Sequence, residues 1–201
     1  ACPRLHYVAT GGPVAGHDDT SYPRFRESLA RSPHAARFHL LGWIDAAELP
    51  GVMAQSDLGI QVDASNFETL FGARNRTINM MAAGLPVITT SGAEISDELI
   101  AAGCVAFPET RGSAESLAQA IIALYEDRNR LRELAERGRR YVLKHFSYGQ
   151  TTRPLLEWVA SPQFAPDNRV KLELAESDSG TRSNPFLKPL NPIEEQVAAC
   201  E

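Results

Sequence analysis

The sequence is poor in cysteine: Cys2, Cys104 and Cys200 are the only three in 201 residues. They are too few and too far apart for a disulfide framework and form no CxxC metal pair, so the expected setting is a reducing one, the cytoplasm. Long hydrophobic runs are absent as well. No stretch approaches the roughly 20 apolar residues that a membrane-spanning helix needs, and the first residues show no secretory pattern. Positive charge is scarce: 20 Lys and Arg stand against 25 Asp and Glu, a net charge of −5, which argues against the basic footprint of a nucleic-acid binder. None of His6, His17, His34, His39 and His145 pairs at metal-ligand spacing, and His39, inside an apolar run, reads as a core or edge residue. No period of about 20–50 residues recurs, which excludes a solenoid. An initiator Met is lacking too. Ala1 to Arg4 lead straight into an apolar run, so the chain reads as a piece of something longer.

What is present is alternation. Short apolar runs bounded by turn residues predict strands at 5–9, 38–41, 58–62, 87–90 and 105–107, and helical patterns lie between them at 24–31, 46–55, 74–83 and 95–102. Strand and helix in turn at this spacing predict right-handed βαβ units and an α/β fold. Pro86-Val87-Ile88 is continuously apolar, as a parallel strand covered on both faces should be. Asp45 and Glu48 have capping-box spacing, although Pro50 limits the helix that follows. Gly84 and Pro86 stop the helix at 74–83. Ser113 caps a helix running to Glu126, and further helices follow at 130–145 and 148–158. From Pro162 the composition changes: five prolines and the polar run Ser177-Asp178-Ser179-Gly180-Thr181 predict a largely irregular tail over 162–201, laid on a partner surface.

Three stretches can carry chemistry. Thr10-Gly11-Gly12-Pro13 ends the first strand, where open α/β sheets bind ligands. It is either a ligand loop or a plain turn, and it lacks the GxGxxG spacing of a dinucleotide fingerprint. Gly42-Trp43 ends the second strand. Trp43 reads as a shelf for a planar base or as part of the core. The third stretch, Asn66-Phe67-Glu68-Thr69-Leu70-Phe71-Gly72, reads as a loop running into Arg74-Asn75-Arg76-Thr77 at a helix start. The amides and dipole of that start favour a phosphate. Gly72 permits close approach, Glu68 can accept hydrogen bonds from sugar hydroxyls, and Arg74 and Arg76 can neutralise a diphosphate. On residue type alone, a solvated loop with surface arginines is the competing reading.

The order of these stretches resembles a known family. Gly11-Gly12-Pro13, Phe38-His39-Leu40-Leu41-Gly42, Ala54-Gln55-Ser56-Asp57-Leu58, Glu68 and Met81-Ala82-Ala83-Gly84-Leu85-Pro86-Val87-Ile88-Thr89-Thr90 look like the carboxy-terminal half of a group 1 glycosyltransferase. Glu94, Asp97, Glu98, the segment 111–127 and His145-Phe146-Ser147-Tyr148 extend the likeness over residues 5 to 160. The resemblance implies a retaining GT-B enzyme with no metal and no cofactor, whose substrate is a UDP- or GDP-linked sugar. The acceptor it implies is a cell-surface glycan or glycolipid. Residues 1–161 would then be a Rossmann-like, three-layer donor-binding domain with a mainly parallel sheet of about five strands. The amino-terminal acceptor domain and the first βα unit of the donor domain would lie outside this chain, leaving it inactive alone.

By position, Glu68 matches the first glutamate of the family's E-x7-E motif, the one that contacts donor sugar hydroxyls, and is the catalytic candidate. The second glutamate falls at position 76, which is Arg76 here. Arg76 is therefore expected to face the diphosphate, and Asn79, one turn on, to take over a hydroxyl contact. The expected donor set is Gly11, Gly12, Trp43, Glu68, Phe71, Gly72, Arg74, Arg76, Thr77 and Asn79. Two other functions compete: a nucleotide-sugar epimerase of this fold, which would need acid/base carboxylates and a histidine at the anomeric region that the sequence does not clearly display, and a non-catalytic sugar-nucleotide or protein-binding module, to which the departure at Arg76 gives weight. The basic residues between Arg128 and Lys144 read as a solvated helix face or as a peripheral contact with a membrane.

Overall fold

The computed structural model describes residues 2–16 and 20–163, and four of the five expected strands form in it. β1 (Tyr7–Thr10) pairs in parallel with β2 (Phe38–Gly42), Tyr7 opposite Phe38 and Val8 opposite His39. β3 (Gly59–Gln61) pairs in parallel with β4 (Val87–Thr89), Ile60 opposite Ile88. The run at 105–107 contributes a single residue, Ala106, bridged in parallel to Ile88. The two pairs form separate sheets rather than one continuous sheet.

The helices are α1 (Ser21–Ala30), α2 (Leu49–Ala54), α3 (Phe67–Phe71), α4 (Asn75–Ala82), α5 (Glu94–Ala101), α6 (Ala114–Glu126), α7 (Arg128–His145), α8 (Tyr148–Thr151) and α9 (Arg153–Ala160). Local chemistry sets their ends. Ser113 Oγ accepts from Ser116 N at 3.1 Å and starts α6 as expected. α7 begins two residues early because Asp127 accepts from the amides of Asn129 and Arg130. Glu48 accepts from Asp45 N at 3.2 Å, yet α2 starts only at Leu49 and holds Pro50 in its first turn. The pattern at 148–158 splits at Thr152, since Pro154 favours a new helix start over continuation.

The core is built around β4. On one face Val87 packs with Met81, Leu99, Cys104, Val105 and Val142; on the other Ile88 packs with Ala106, Leu124 and Leu134. Every β4 side chain is buried, as a strand covered on both faces requires. α7 approaches α4 closely at Gly138, where a Cβ would stand 3.0 Å from Met81 Cε and 3.1 Å from the Cys104 carbonyl oxygen. Burial raises the Cys104 thiol pKa, partly offset by Arg137. The Tyr141 hydroxyl, which donates to Glu98 Oε1 at 2.7 Å, is also raised, chiefly by that bond.

Around β1 and β2 burial is shallow. Among the described residues none before Gly59 is buried, and Tyr7, Val8 and Leu41 are exposed. His39 is an exposed residue whose ring stacks on His6 at 5.2 Å, Nε2 lying 2.9 Å from His6 Nδ1. A contact boundary follows Thr151. Beyond it α9 carries an ion pair between Arg153 and Glu157 at 3.6 Å, and Trp158 Nε1 donates to the Gln163 carbonyl at 2.9 Å. Of the expected tail only Pro162 and Gln163 are described; its remainder, His17 and Cys200 lie outside the described residues. No helix among the described residues is long and apolar enough to cross a membrane.

Candidate functional site

The expected site residues lie beyond the carboxyl ends of the strands, the edge at which parallel sheets present their loops to ligands. They form two groups. After β1 and β2, Gly11 N donates to the Gly42 carbonyl at 2.6 Å, and the exposed Trp43 indole lies over Gly12, where a Cβ would stand 3.3 Å from its Nε1. Trp43 is therefore a surface shelf, not part of the core.

The second group follows β3. Residues 66–72, expected as a loop, contain the short helix α3. Asn66 Oδ1 accepts from Thr69 N at 2.7 Å, and Thr69 Oγ1 donates to the Ala64 carbonyl at 2.7 Å, so local polar bonds hold a helix whose apolar residues face solvent. Phe67 and Phe71 lie one turn apart, ring centroids 4.7 Å from each other, and both are exposed. No hydrogen bond, ion pair or ring contact joins this group to Trp43 among the described residues.

Arg74, at the N-cap of α4, is inside the protein rather than on its surface. Its side chain is only 5% exposed and reaches two carboxylates. Nη1 donates to Glu68 Oε1 at 3.1 Å, and Nη2 to the Glu68 carbonyl at 3.4 Å. Nε stands 3.1 Å from Asp63 Oδ2 without hydrogen-bond alignment, so that arm is an ion pair alone. Asp63 is 16% exposed, whereas Glu68 is 73% exposed. The arginine thus anchors Glu68 by one oxygen while the carboxylate stays open to solvent. Gly72 makes the pairing fit: a Cβ there would overlap the Glu68 carbonyl oxygen and stand 2.8 Å from Glu68 Oε1 and 2.9 Å from Arg74 Nη1.

α4 starts with no side-chain cap, leaving its first amides without a side-chain acceptor. Arg76 and Asn79 are exposed, three residues apart on one face, and Arg76 has no ion-pair partner among the described residues. Thr77 belongs to the opposite, buried face with Met81, its Oγ1 without a hydrogen-bond partner. Asp63 and Arg111 are the functional candidates that sequence reasoning missed. An acidic residue directly after the β3 run was a usable signal for Asp63, but Arg111 reaches the site from 47 residues away, and no local pattern announces it.

A cavity of about 560 Å³ lies elsewhere, lined by Gly103, Val105, Asp127, Arg130 and Arg137. Among the described residues no group of three or more His, Cys, Asp and Glu is placed to hold a metal ion. Part of the basic stretch in α7 is engaged: Arg128 pairs with Asp57 at 3.4 Å and lies over the Tyr125 ring, and Arg137 donates to the Gly103 carbonyl.

A family model described as glycosyl transferase-like matches residues 5–157. Among solved structures, the chain is similar to Anabaena Alr3699/HepE in complex with UDP, with TM-score 0.67 and 20% identity over 79% of this chain and 42% of that one. It is similar to WaaG, a glycosyltransferase involved in lipopolysaccharide biosynthesis, with TM-score 0.57 and 19% identity over 79% of this chain and 38% of that one. It also resembles the C-terminal domain of a group 1 family glycosyl transferase, LpcC, from Francisella tularensis, with TM-score 0.52 and 16% identity over 63% of this chain and 62% of that one. The chain therefore spans less than half the length of HepE and WaaG. No curated protein matches it in sequence.

Proposed function

Because the chain belongs to the glycosyl transferase-like family, we propose that it is the donor-binding half of a retaining glycosyltransferase whose donor is a UDP- or GDP-linked sugar. The observation that carries this reading is the exposed Glu68 carboxylate, fixed by a buried Arg74, beside the uncapped start of α4 and the exposed Arg76. An acceptor for hydroxyls and a cationic, amide-rich patch thus lie on one short stretch, as a sugar joined to a diphosphate would need. HepE's complexes with UDP and with UDP-glucose support the choice of ligand class. The position of the match, on the carboxy-terminal domain of LpcC, supports the assignment to the donor half.

The reaction proposed is transfer of the sugar to a hydroxyl of a cell-surface glycan or glycolipid. A bond forms between the acceptor oxygen and the anomeric carbon, the bond from that carbon to the diphosphate breaks, and the acceptor's proton passes to the departing diphosphate. Negative charge grows on the diphosphate during this step. Arg76 and the α4 amides stabilise it, and Glu68 and Asn79 hold sugar hydroxyls in place. Arg74 acts through Glu68. Gly11, Gly12 and Trp43 offer backbone and a flat face to the base, and Phe71, Gly72 and Thr77 shape the loop and helix around the sugar and phosphates. An amino-terminal domain facing this one supplies the acceptor site.

Calorimetric titration of the full-length protein with UDP, GDP, ADP and TDP, and with UDP-glucose and GDP-mannose, tests the reading. One nucleotide is expected to bind equally with and without magnesium. Arg76→Ala should weaken that nucleotide by about 1.5–3 kcal/mol, the range for a charged hydrogen bond, or roughly ten- to hundredfold. Glu68→Ala should remove only the affinity gained when the sugar is attached. Absence of nucleotide binding to the full-length protein would overturn the reading in favour of a non-catalytic module.

A further inference from the structure

We infer that Arg111 is a positioning residue of the donor site, fixing the 63–72 segment and, through it, Glu68; this rests on the donor-site reading above. Arg111 lies between Ala106 and α6, and its guanidinium crosses to the exit of β3. Nη2 donates to the Ala64 carbonyl at 2.9 Å, and Nε to the Asp63 carbonyl at 3.4 Å. A guanidinium can hold two successive carbonyls in this way, whereas a lysine ammonium is a point donor that satisfies them only in turn.

Those two carbonyls are where the segment needs holding. β3 ends at Gln61, so residues 63 and 64 have left the ladder. Asp63 N donates to Thr90 Oγ1 at 3.0 Å, which ties the segment to the end of β4. The Ala64 carbonyl receives a second bond from Thr69 Oγ1 of α3, at 2.7 Å. The Asp63 carboxylate pairs with Arg74, which in turn holds Glu68. Arg111 therefore grips both roots of Glu68's position, the carbonyl that anchors α3 and the residue that anchors Arg74.

Its seat is built for it. Gly92 has φ +103°, and a Cβ there would overlap Arg111 Nη1 and stand 3.1 Å from its Cζ. Among the described residues Arg111 has no carboxylate within ion-pair distance, so its charge is spent on backbone dipoles beside the donor loop. Its two hydrogen bonds both go to the segment that carries Glu68.

The test compares wild type, Arg111→Ala and Arg111→Lys in the full-length protein, by amide hydrogen exchange and by titration with UDP and UDP-glucose. In Arg111→Ala, exchange across 63–72 should rise at least about tenfold while peptides from α7 stay unchanged, a local loosening rather than global unfolding. Affinity for UDP-glucose should fall about tenfold, with UDP alone shifting less than about twofold; Arg111→Lys should fall between wild type and Arg111→Ala. Unchanged exchange across 63–72 would overturn the proposal, as would an equal loss of UDP and UDP-glucose affinity, which marks a nucleotide ligand or a general structural residue. Should wild type gain nothing from the attached glucose, the donor-site reading of Glu68 fails, and the exchange result alone decides whether Arg111 holds the segment.

Discussion

Arg74→Met is expected to lower the unfolding free energy by about 3–5 kcal/mol, the cost of removing one partner from a buried ion pair. The two arms of the pair contribute unequally. Glu68 is largely exposed, so solvent screens it and its loss of a partner is nearly free. Asp63 is not: its side chain is only 16% exposed, and without Arg74 its carboxylate keeps a hydrogen bond from Gln61 Nε2 at 3.1 Å but faces no other cation within ion-pair distance among the described residues. Most of the loss should therefore come from Asp63, and a double variant distinguishes the source. Asp63→Asn combined with Arg74→Met should be clearly more stable than Arg74→Met alone, because the stranded charge is gone. Urea unfolding of the four proteins measures this; strictly additive losses would show that the pair is not the source. Donor binding gives a second readout. Arg74→Met frees Glu68, so the sugar-dependent part of the affinity should fall together with stability.

Gly138→Val is expected to cost about 2–3 kcal/mol, the upper part of the range for overpacking a tight core. Gly138 is buried in α7 and faces α4 across Met81. Alanine there is a near-balance: it gains about 1 kcal/mol of helix propensity over glycine and loses a similar amount by pressing on the Cys104 carbonyl. Met81 Cε is the end of a flexible side chain and can move, but the carbonyl belongs to backbone and cannot move without shifting the residues beside Val105. Valine adds two further carbons to the same space and brings no such gain. The measurement is the shift in urea midpoint at constant m-value; a valine variant within about 0.5 kcal/mol of wild type would show that α4 and α7 separate freely.

Much of the fold was legible because continuous apolar runs and side-chain caps are local signals. Val87 and Ile88 announce a buried strand, Ser113 starts α6 where a cap should, and Gly84 follows α4 with φ +90°. α3 was hidden because it is only five residues long and buries no apolar face: Phe67, Leu70 and Phe71 have helical spacing but are exposed, and the helix rests on Asn66 and Thr69 side chains bonding to nearby backbone. The break at Thr152 was available in Pro154 and was overridden by the apolar pattern around it. The site was legible in kind but not in arrangement. Residue types nominated Glu68, Arg74 and Arg76 together, yet Arg74 is taken inward by Asp63, eleven positions earlier, while Arg76 stays outside. Which arginine turns in depends on a contact made only after β3 and α4 have come together.

The shallow burial around β1 and β2 has a consequence for synthesis. Within this stretch β1 and β2 are synthesised before β3 and β4, but among the described residues they have no core of their own. The cluster around β4 is completed only by Leu134 and Val142, late in α7. Until about residue 142 has emerged, the cluster around β4 is incomplete, and β1 and β2 bring no buried cluster of their own. Folding should therefore lag translation, with this stretch in the reach of chaperones for most of that time.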